Sequence, residues 1–287
     1  MAELRSILFV SPLAEKHLGK APSSGADAIQ LDLEDAVLME DKDAARSRLG
    51  VAIAGLRQAG VEHVIVRVNA PWLLAFPDIE AACAAGADCI TLPKVETPDR
   101  VAVVAQMLDE IEARDGAGRR MRILVLVESA RGLEHLGAIL KASDRISAVT
   151  LGPEDFAGDM GSEPTVAANE WANIAVLAAA RSAGVTPFGF PGSIALIDDL
   201  AAFRRQAERA RELGFRGAAI IHPAQVAILN DVFSASSEEI RQARRIVEAA
   251  EGRGAFVLDG KMIDAPIVQR ARNLLARQER DPRKRSC

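Results

Sequence analysis

Several ingredients of familiar protein classes are scarce in this chain of 287 residues. Tyrosine is absent, aromatic residues make up only 4% of the sequence, and there are three cysteines. Cys83, Cys89 and Cys287 are too few and too scattered for a disulfide framework or a structural zinc site. Leu, Ile, Val and Ala must therefore fill the core, and we expect Cys83 and Cys89 to be buried, inert thiols.

Long apolar runs and an excess of positive charge are also lacking. No apolar stretch approaches the roughly 18 residues that a membrane-spanning helix requires, and the N-terminus does not have the pattern of a signal peptide. The net charge is −5, from 35 basic and 40 acidic residues, which disfavours a nucleic-acid partner because phosphate backbones attract clustered Lys and Arg. We therefore expect a cytoplasmic protein that binds neither membranes nor nucleic acids.

Short runs of β-branched and aliphatic residues recur along the chain, separated by Ala-, Leu- and Arg-rich stretches with helical spacing. The runs are 5–10, 28–33, 63–68, 89–93, 122–127, 147–152, 185–190 and 218–223. Such alternation predicts parallel strands joined by crossover helices. Eight strand–helix units match a (β/α)8 TIM barrel, whose typical length is about 250 residues. The alternative is an open doubly wound sheet, but no Gly-x-Gly-x-x-Gly follows the first run.

The alternation of side chains along the runs also favours the barrel. In the second run the odd-numbered residues from 29 to 33 are aliphatic, whereas Gln30, Asp32 and Glu34 share the opposite face. In the third run, Val66 and Arg67 likewise point to opposite faces. An open sheet covered by helices on both sides would be apolar on both faces. One partly polar face is instead typical of a barrel interior that leads to a site.

Beyond residue 223 the rhythm of strands and helices changes. The stretch "SSEEIRQARRIVEAAEGRG" predicts an amphipathic helix capped by Ser236 or Ser237. A turn at Asp259-Gly260 and a second helical pattern follow. We therefore predict three segments, which are a barrel (1–230), a C-terminal helical extension or lid (231–280) and a solvated, flexible tail (281–287).

Polar and ionisable side chains stand where the predicted strands stop, which is the edge that barrel enzymes use for chemistry. Glu128 and Asp155 follow consecutive strands, and we predict that they bind Mg²⁺, which takes one or two carboxylates and keeps its other positions for water and substrate. Glu34 and Asp35 are predicted to hold metal-bound waters or to orient Arg67. The sequence leaves open which of these acids ligate the metal. For Asp35 a helix cap or solvated turn is the alternative.

Two further residues at the strand ends have alternative interpretations. Lys94 could form a Schiff base with a carbonyl substrate, as in class I aldolases, or pair with Glu34 or Glu96, which we favour. His222 precedes a proline, so its backbone is held extended. We favour a structural hydrogen bond over direct catalysis for His222.

Seven blocks of the sequence resemble the signature blocks of one known family. They are "GADAIQLDLEDAV", "VIVRVN", "LPKVE", "LVESARG", "GPEDFAGDMG", "GFRGAAIIHPAQV" and "DGKMIDAPIVQRAR". In this order they are similar to the citrate lyase β-subunit group of the HpcH/HpaI aldolase/citrate lyase superfamily, which contains citryl-CoA, malyl-CoA and citramalyl-CoA lyases. The resemblance implies a TIM barrel, Mg²⁺ dependence, a homotrimer or hexamer, and cleavage of a hydroxyacyl-CoA thioester to acetyl-CoA and a 2-oxo acid.

The same resemblance assigns roles to individual residues. It makes Glu128 and Asp155 the metal ligands, and Arg67 the arginine that binds substrate and stabilises the enolate. It makes Asp264 the acid/base on a lid, which family members often present from a neighbouring subunit. Without the resemblance, Asp264 before Ala265-Pro266 would be interpreted as a helix N-cap. The complete prediction has catalytic residues Arg67, Asp264, Glu34 and Asp35, and substrate-binding residues Arg67, Asn69, Lys94 and Glu128.

Two loops depart from the family pattern. After the first strand, "FVSPLAEKHLGKA" has Ala14 and His17 where family members commonly have arginines, and "TPFGFPGSIALIDD" after the seventh strand is also atypical. Three alternatives follow for the function. They are a malyl-CoA-type thioesterase or synthase, a pyruvate-type aldolase that does not use CoA, and a non-enzymatic barrel that binds a metabolite. The last is disfavoured because a binding module needs no acid/base residue.

Overall fold

A computed structural model describes residues 4–116 and 118–280 of the chain. The predicted tail (281–287), with Cys287, lies outside the described residues. The chain divides into two compact units, the first ending at Phe233 and the second beginning at Ser234. Each unit is described by itself below.

The first unit contains an eight-stranded sheet, and each strand lies within or next to a run that the sequence predicts. All pairings are parallel. The strands are Ser6–Val10 (β1), Ala28–Asp32 (β2), Val64–Arg67 (β3), Cys89–Leu92 (β4), Arg122–Val127 (β5), Ile146–Leu151 (β6), Thr186–Pro187 (β7) and Ala218–Ile220 (β8). β7 is shorter than its predicted run because Pro187 has no N–H to donate and Gly189 follows soon after.

The sheet is curled, and its strand order is β7-β6-β5-β4-β3-β2-β1-β8. Neighbouring strands are thus consecutive in the chain from β1 to β7, which rules out the reversal of order that defines a doubly wound sheet. The edges carrying β7 and β8 are joined by two backbone hydrogen bonds. The N–H of Gly189 donates to the carbonyl of Gly217 at 3.0 Å, and the N–H of Arg216 donates to that of Pro187 at 3.1 Å. The fold is therefore TIM-barrel-like.

Helices connect the strands, and their ends follow from the sequence. Val166–Ala183, for example, begins after Thr165, whose hydroxyl accepts the N–H of Ala168, and ends at Gly184 with φ of 70°. The helices of the first unit are Glu15–Lys20 (α1), Lys42–Ser47 (α2), Leu49–Gln58 (α3), Trp72–Ala84 (α4), Pro98–Asp115 (α5), Ala130–Glu134 (α6), Leu136–Ile139 (α7), Pro153–Asp159 (α8), Val166–Ala183 (α9), Leu200–Leu213 (α10) and Ala224–Val232 (α11). Short 3-10 turns cover Ala21–Ser24 and Met39–Asp41.

The two faces of the sheet belong to different apolar clusters, as the alternation in the sequence predicts. Ile29, Leu31 and Leu33 belong to the large cluster that includes the apolar faces of the surrounding helices. A smaller cluster fills the interior behind the other face, and Ile65 and Leu124 are among its members. Burying such side chains stabilises the fold by about 1.5–3 kcal/mol each. The interior face also carries the polar residues that reach the site.

The second unit consists of two helices with a hairpin between them. Ser237–Ala249 (α12) starts at Ser236, which forms a capping box with Glu239. Phe256–Leu258 (β9) and Lys261–Ile263 (β10) pair antiparallel around Asp259 and Gly260, which both have positive φ. Ala265–Arg280 (α13) then packs against α12. The function of this unit as a lid stays a prediction.

None of the described helices, which lie within residues 4–116 and 118–280, is long and apolar enough to cross a membrane.

Candidate active site

A cavity of about 500 Å³ opens at the carboxyl ends of the strands in the first unit. Arg67 from β3, Glu128 after β5 and Asp155 after β6 all line it. Asp35 and Phe9 contribute to the same wall. The sequence-predicted metal ligands and the predicted catalytic arginine therefore face one enclosed space.

Arg67 is held by three acids, one at the last position of β2 and two shortly after it. Its Nε and Nη2 each donate a hydrogen bond of 2.7 Å to Asp32, and its Nη1 lies 3.1 Å from a carboxylate oxygen of both Glu34 and Asp35. The guanidinium also lies over the ring of Phe9, with 4.9 Å between its central carbon and the ring centroid. The three acids thus offset the positive charge of Arg67 and fix the orientation of its buried guanidinium.

The strand register explains why Arg67 and Asp32 meet. Asp32 of β2 and Arg67 of β3 are directly paired, and both side chains point to the sheet interior. Burial acts to lower the pKa of Arg67, but the hydrogen bonds to Asp32 and the charges of Glu34 and Asp35 raise it above its ordinary value. Arg67 is 8% exposed and permanently charged, and its planar fork is fixed by the bidentate pair.

Glu128 is a buried carboxyl group, 5% exposed, at the end of β5. Burial, and then the negative charge of Glu34, raise its pKa to about 8 from an ordinary value of 4.5. Its one hydrogen bond from the described residues comes from the backbone N–H of Lys94 at 2.7 Å. Gly152 leaves the room that it needs, because a Cβ there would lie 2.7 Å from Cγ of Glu128.

Lys94 connects the acids around the cavity mouth. Its Nζ lies 3.2 Å from Glu34 and 3.9 Å from Asp155. Its backbone has φ of 51°, a left-handed conformation that costs a non-glycine residue energy and is enriched at functional sites. Burial acts to lower the pKa of Lys94, yet the charge of Glu34 raises it. A raised pKa suits the ion pair with Glu34 and opposes a Schiff base, which requires a neutral amine.

The donor set fits a magnesium ion held by few protein ligands. No group of three or more His, Cys, Asp and Glu residues within residues 4–116 and 118–280 is arranged to hold a metal, but Mg²⁺ needs only one or two carboxylates beside water and substrate. Glu128 and Asp155 both line the cavity. Glu34 lies beside them, and its buried Oε2 is 3.1 Å from Nη1 of Arg67. The pKa values of Glu34 and Glu128 are both raised, and a divalent cation stabilises the charged form of such buried acids.

Without metal, we expect the folded protein to lose stability as the pH rises from about 4.5 to about 8. The folded state keeps the proton of Glu128 up to about pH 8, whereas the unfolded chain releases it near 4.5, so the folded state binds more protons in this interval. Thermal unfolding of the chelated wild type and of Glu128→Gln at pH 5 and pH 8 tests this. The melting temperature of Glu128→Gln minus that of the wild type should be larger at pH 8 than at pH 5. An equal difference at both pH values would contradict the expected loss of stability.

Other sequence-predicted residues lie in different surroundings. The side-chain amide of Asn69 donates to Asp78 of α4, and so does its backbone N–H at 2.9 Å. Nδ1 of His222 accepts the N–H of Ala224 at the start of α11, which is the structural role favoured from the sequence. Asp264, in the second unit, accepts the N–H of Ile267 at 3.3 Å and so caps α13. The substrate and acid/base roles of Asn69 and Asp264 stay predictions.

Three residues of the site have no role in the sequence-based prediction. Asp32 is the bidentate partner of Arg67, Phe9 packs on the guanidinium, and Gln30 faces the cavity floor. The signal that could have identified Asp32 is the register of neighbouring strands, since Asp32 and Arg67 lie on the polar faces of two consecutive strands. Phe9 gives no comparable signal, because an aromatic residue in a strand is ordinary core.

Known proteins are similar to this chain in sequence and in fold. The model of the HpcH/HpaI aldolase/citrate lyase family matches residues 5–223. Citrate lyase subunit beta of Escherichia coli strain K12 is 35% identical over 286 residues, covering 96% of this chain and 93% of that protein. L-malyl-CoA/beta-methylmalyl-CoA lyase of Cereibacter sphaeroides strain ATCC 17029 is 33% identical over 288 residues, covering 91% of this chain and 90% of that protein.

A solved structure gives a likeness over nearly the whole chain. It is protein CitE from Mycobacterium tuberculosis in complex with magnesium, acetoacetate and coenzyme A, with a TM-score of 0.77 and 27% identity. The match covers 97% of this chain and 99% of that chain. The similarity therefore includes both the strand ends around the cavity and the C-terminal segment.

Proposed function

Because the chain belongs to the HpcH/HpaI aldolase/citrate lyase family, we propose that it is a Mg²⁺-dependent carbon–carbon lyase. Its substrate would be a citryl-, citramalyl- or malyl-CoA-like thioester, cleaved to acetyl-CoA and a 2-oxo acid. The observation that carries this proposal is the placement of Arg67, Glu128 and Asp155 on one cavity. Two metal-binding carboxylates and a fixed arginine on one cavity suit a reaction in which negative charge develops on an oxygen. That oxygen lies close to the carbon that bears the substrate carboxylate.

Glu128 and Asp155 are the residues that would hold the metal. Mg²⁺ bound there would polarise the carboxylate and the oxygen on the adjacent carbon, and so act as a Lewis acid and template. Lys94, which lies 3.2 Å from Glu34 and 3.9 Å from Asp155, offsets part of the negative charge of these acids. Asn69 and Lys94 remain our proposed substrate contacts together with Arg67 and Glu128, with Asn69 acting from its hydrogen bonds to Asp78.

The chain's own groups would move the protons and stabilise the charge. Asp35 lines the cavity, and we propose that it accepts the proton of the substrate hydroxyl. The carbon–carbon bond then breaks, the hydroxyl carbon becomes the keto carbon, and the electron pair passes to the acetyl unit as a thioester enolate. Arg67, aimed by Asp32 and Glu34, stabilises the enolate oxygen. Asp264 donates the proton that converts the enolate carbon to the methyl group of acetyl-CoA.

The proposal extends to the architecture around the site. The hydrogen bonds between Gly189 and Gly217 and between Arg216 and Pro187 support a closed (β/α)8 barrel. We propose that α12, the hairpin and α13 act as a lid that brings Asp264 to a site, in a homotrimer or hexamer. We further propose that the enzyme is cytoplasmic and that its partners are small molecules.

The direct test is an assay of citryl-, citramalyl- and malyl-CoA with the full-length protein, following acetyl-CoA and the 2-oxo acid together. We expect equal amounts of both products, loss of activity on chelation, and recovery with Mg²⁺. Asp155→Asn should lose activity, whereas Glu163→Gln, which removes the same charge at an exposed position, should not. Free CoA without acetyl-CoA would indicate a thioesterase, and cleavage of a 4-hydroxy-2-oxo acid alone would indicate an aldolase. Unchanged turnover after chelation would contradict the proposed dependence on Mg²⁺.

A further inference from the structure

Gln30 has an unsatisfied donor at the floor of the cavity. Its side chain lines the cavity, and the residue is 1% exposed. Its Oε1 accepts a hydrogen bond of 2.9 Å from the hydroxyl of Thr91, which directs Nε2 to the other side of the amide. Nε2 has no hydrogen-bond partner within the described residues. A buried amide donor without a partner is costly, so Nε2 requires a hydrogen-bond acceptor in the cavity.

The strand register fixes where this donor lies. Gln30 is two residues before Asp32 on the same face of β2, which is one pleat deeper than the anchor of Arg67. Thr91 of β4 is paired with Arg67 of β3. The wall beside them is mainly apolar, with Ile7 and Leu124 on neighbouring parts of the sheet. Nε2 of Gln30 therefore lies, with the hydroxyl of Thr91 beside it, among mainly apolar side chains.

The proposed substrate has one group left to reach this floor. Three substituents of its hydroxyl-bearing carbon are the hydroxyl, the carboxylate and the acetyl-CoA arm. The first two belong at the mouth with Glu128, Asp155 and Arg67, and the arm must leave through the mouth because CoA is too large for the cavity. The fourth substituent, which stays on the keto carbon of the 2-oxo acid, is the group that points inward.

We propose that Gln30 is a specificity-determining residue that donates a hydrogen bond from Nε2 to an oxygen on this fourth substituent. The inference rests on the proposed lyase function. It assigns to the site substrates whose 2-oxo acid carries an oxygen function beyond the keto carbon, rather than a hydrogen or a methyl group. Thr91 is a positioning residue, because its hydroxyl fixes which end of the amide faces the cavity.

Calorimetric titration of the full-length protein in Mg²⁺ tests this with four 2-oxo acids. Hydroxypyruvate and oxaloacetate carry the oxygen, whereas pyruvate and glyoxylate do not. We expect hydroxypyruvate to bind about 10- to 100-fold more tightly than pyruvate, because a site built to bind an oxygen rejects the analogue that lacks it. In Gln30→Met the ratio of the two dissociation constants should fall to near one.

Two variants of Thr91 test the same inference if Gln30→Met does not fold. Thr91→Val should lower the ratio, and Thr91→Ser, which keeps the hydroxyl, should preserve it. If neither hydroxypyruvate nor oxaloacetate binds the wild type more tightly than pyruvate, or if the preference is unchanged in Gln30→Met or Thr91→Val, the inference is overturned. Tight binding of oxaloacetate but not of hydroxypyruvate would show that the recognised oxygen belongs to a carboxylate, and would still support the inference. If no 2-oxo acid binds in Mg²⁺, the proposed function itself fails, which is a different result from binding without preference.

Discussion

Glu128→Gln is expected to lower kcat/KM by about 10³-fold or more, which corresponds to about 4 kcal/mol of lost transition-state stabilisation. Glutamine keeps the size of the buried side chain and can still accept the N–H of Lys94. It removes the charge that Mg²⁺ requires, so the metal should no longer bind. Calorimetric titration with Mg²⁺ and steady-state kinetics on the best thioester measure both effects.

The thermal behaviour separates a lost metal from a lost fold. For the wild type, Mg²⁺ at about 100 times its dissociation constant should raise the melting temperature by roughly 5 °C, because binding to the folded state alone stabilises it. Glu128→Gln should be folded and insensitive to Mg²⁺. Glu163→Gln, an exposed acid with the same loss of charge, serves as the matched control. Mg²⁺-dependent turnover of Glu128→Gln within tenfold of wild type would disprove the assignment.

Arg67→Lys is expected to lower kcat by about 10²- to 10³-fold with a smaller change in KM. The ammonium of lysine keeps the charge but cannot form the bidentate pair with Asp32 and at the same time present an N–H to the enolate oxygen. The loss should therefore concentrate in the chemical step. Separate determination of kcat and KM on the same thioester is the measurement.

A second arginine provides the control for this variant. Arg145 is 1% exposed and bonds Glu112 at 2.6 Å, away from the residues that line the cavity. Arg145→Lys should lower the melting temperature without changing kcat. If Arg67→Lys lowers the melting temperature similarly but keeps kcat within threefold, Arg67 is a structural residue and the enolate role is wrong. We avoid Arg67→Met here because it would leave buried acids unpaired and destabilise the fold by about 3–5 kcal/mol.

Most of the fold follows from the sequence because the strand faces that pack against helices must be aliphatic. The run 122–127 is the clearest case, since β5 covers the same residues. The run 185–190 is the weakest, because apolar character alone does not reveal that Pro187 stops the ladder after two residues. The predicted alternation of faces is confirmed in β2, where the odd-numbered residues join the cluster around the helices and Gln30 and Asp32 line the cavity.

The candidate site could be predicted in its residues but not in its pairings. Glu128, Asp155 and Arg67 stand at strand ends, and parallel strands bring such ends to one edge. Which acid takes the arginine depends on the register, and this gives Asp32 the bidentate contact rather than Glu34 or Asp35. Asn69 follows a strand in the same way, yet the buried carboxylate of Asp78 on the next helix binds its amide. Such competition between partners is settled by packing, which a single sequence does not show.

The main-chain geometry at Lys94 has a consequence for how this site tolerates mutation. An amide N–H, not a side chain, steers the buried carboxylate at position 128, and the left-handed turn at 94 aims that N–H. Replacing the ammonium arm would change the charge at the rim while leaving this steering intact. Glycine, which adopts positive φ without strain, is the substitute that preserves the turn most easily. Evolution can thus retune the electrostatics of the entrance independently of the geometry that points the acid inward.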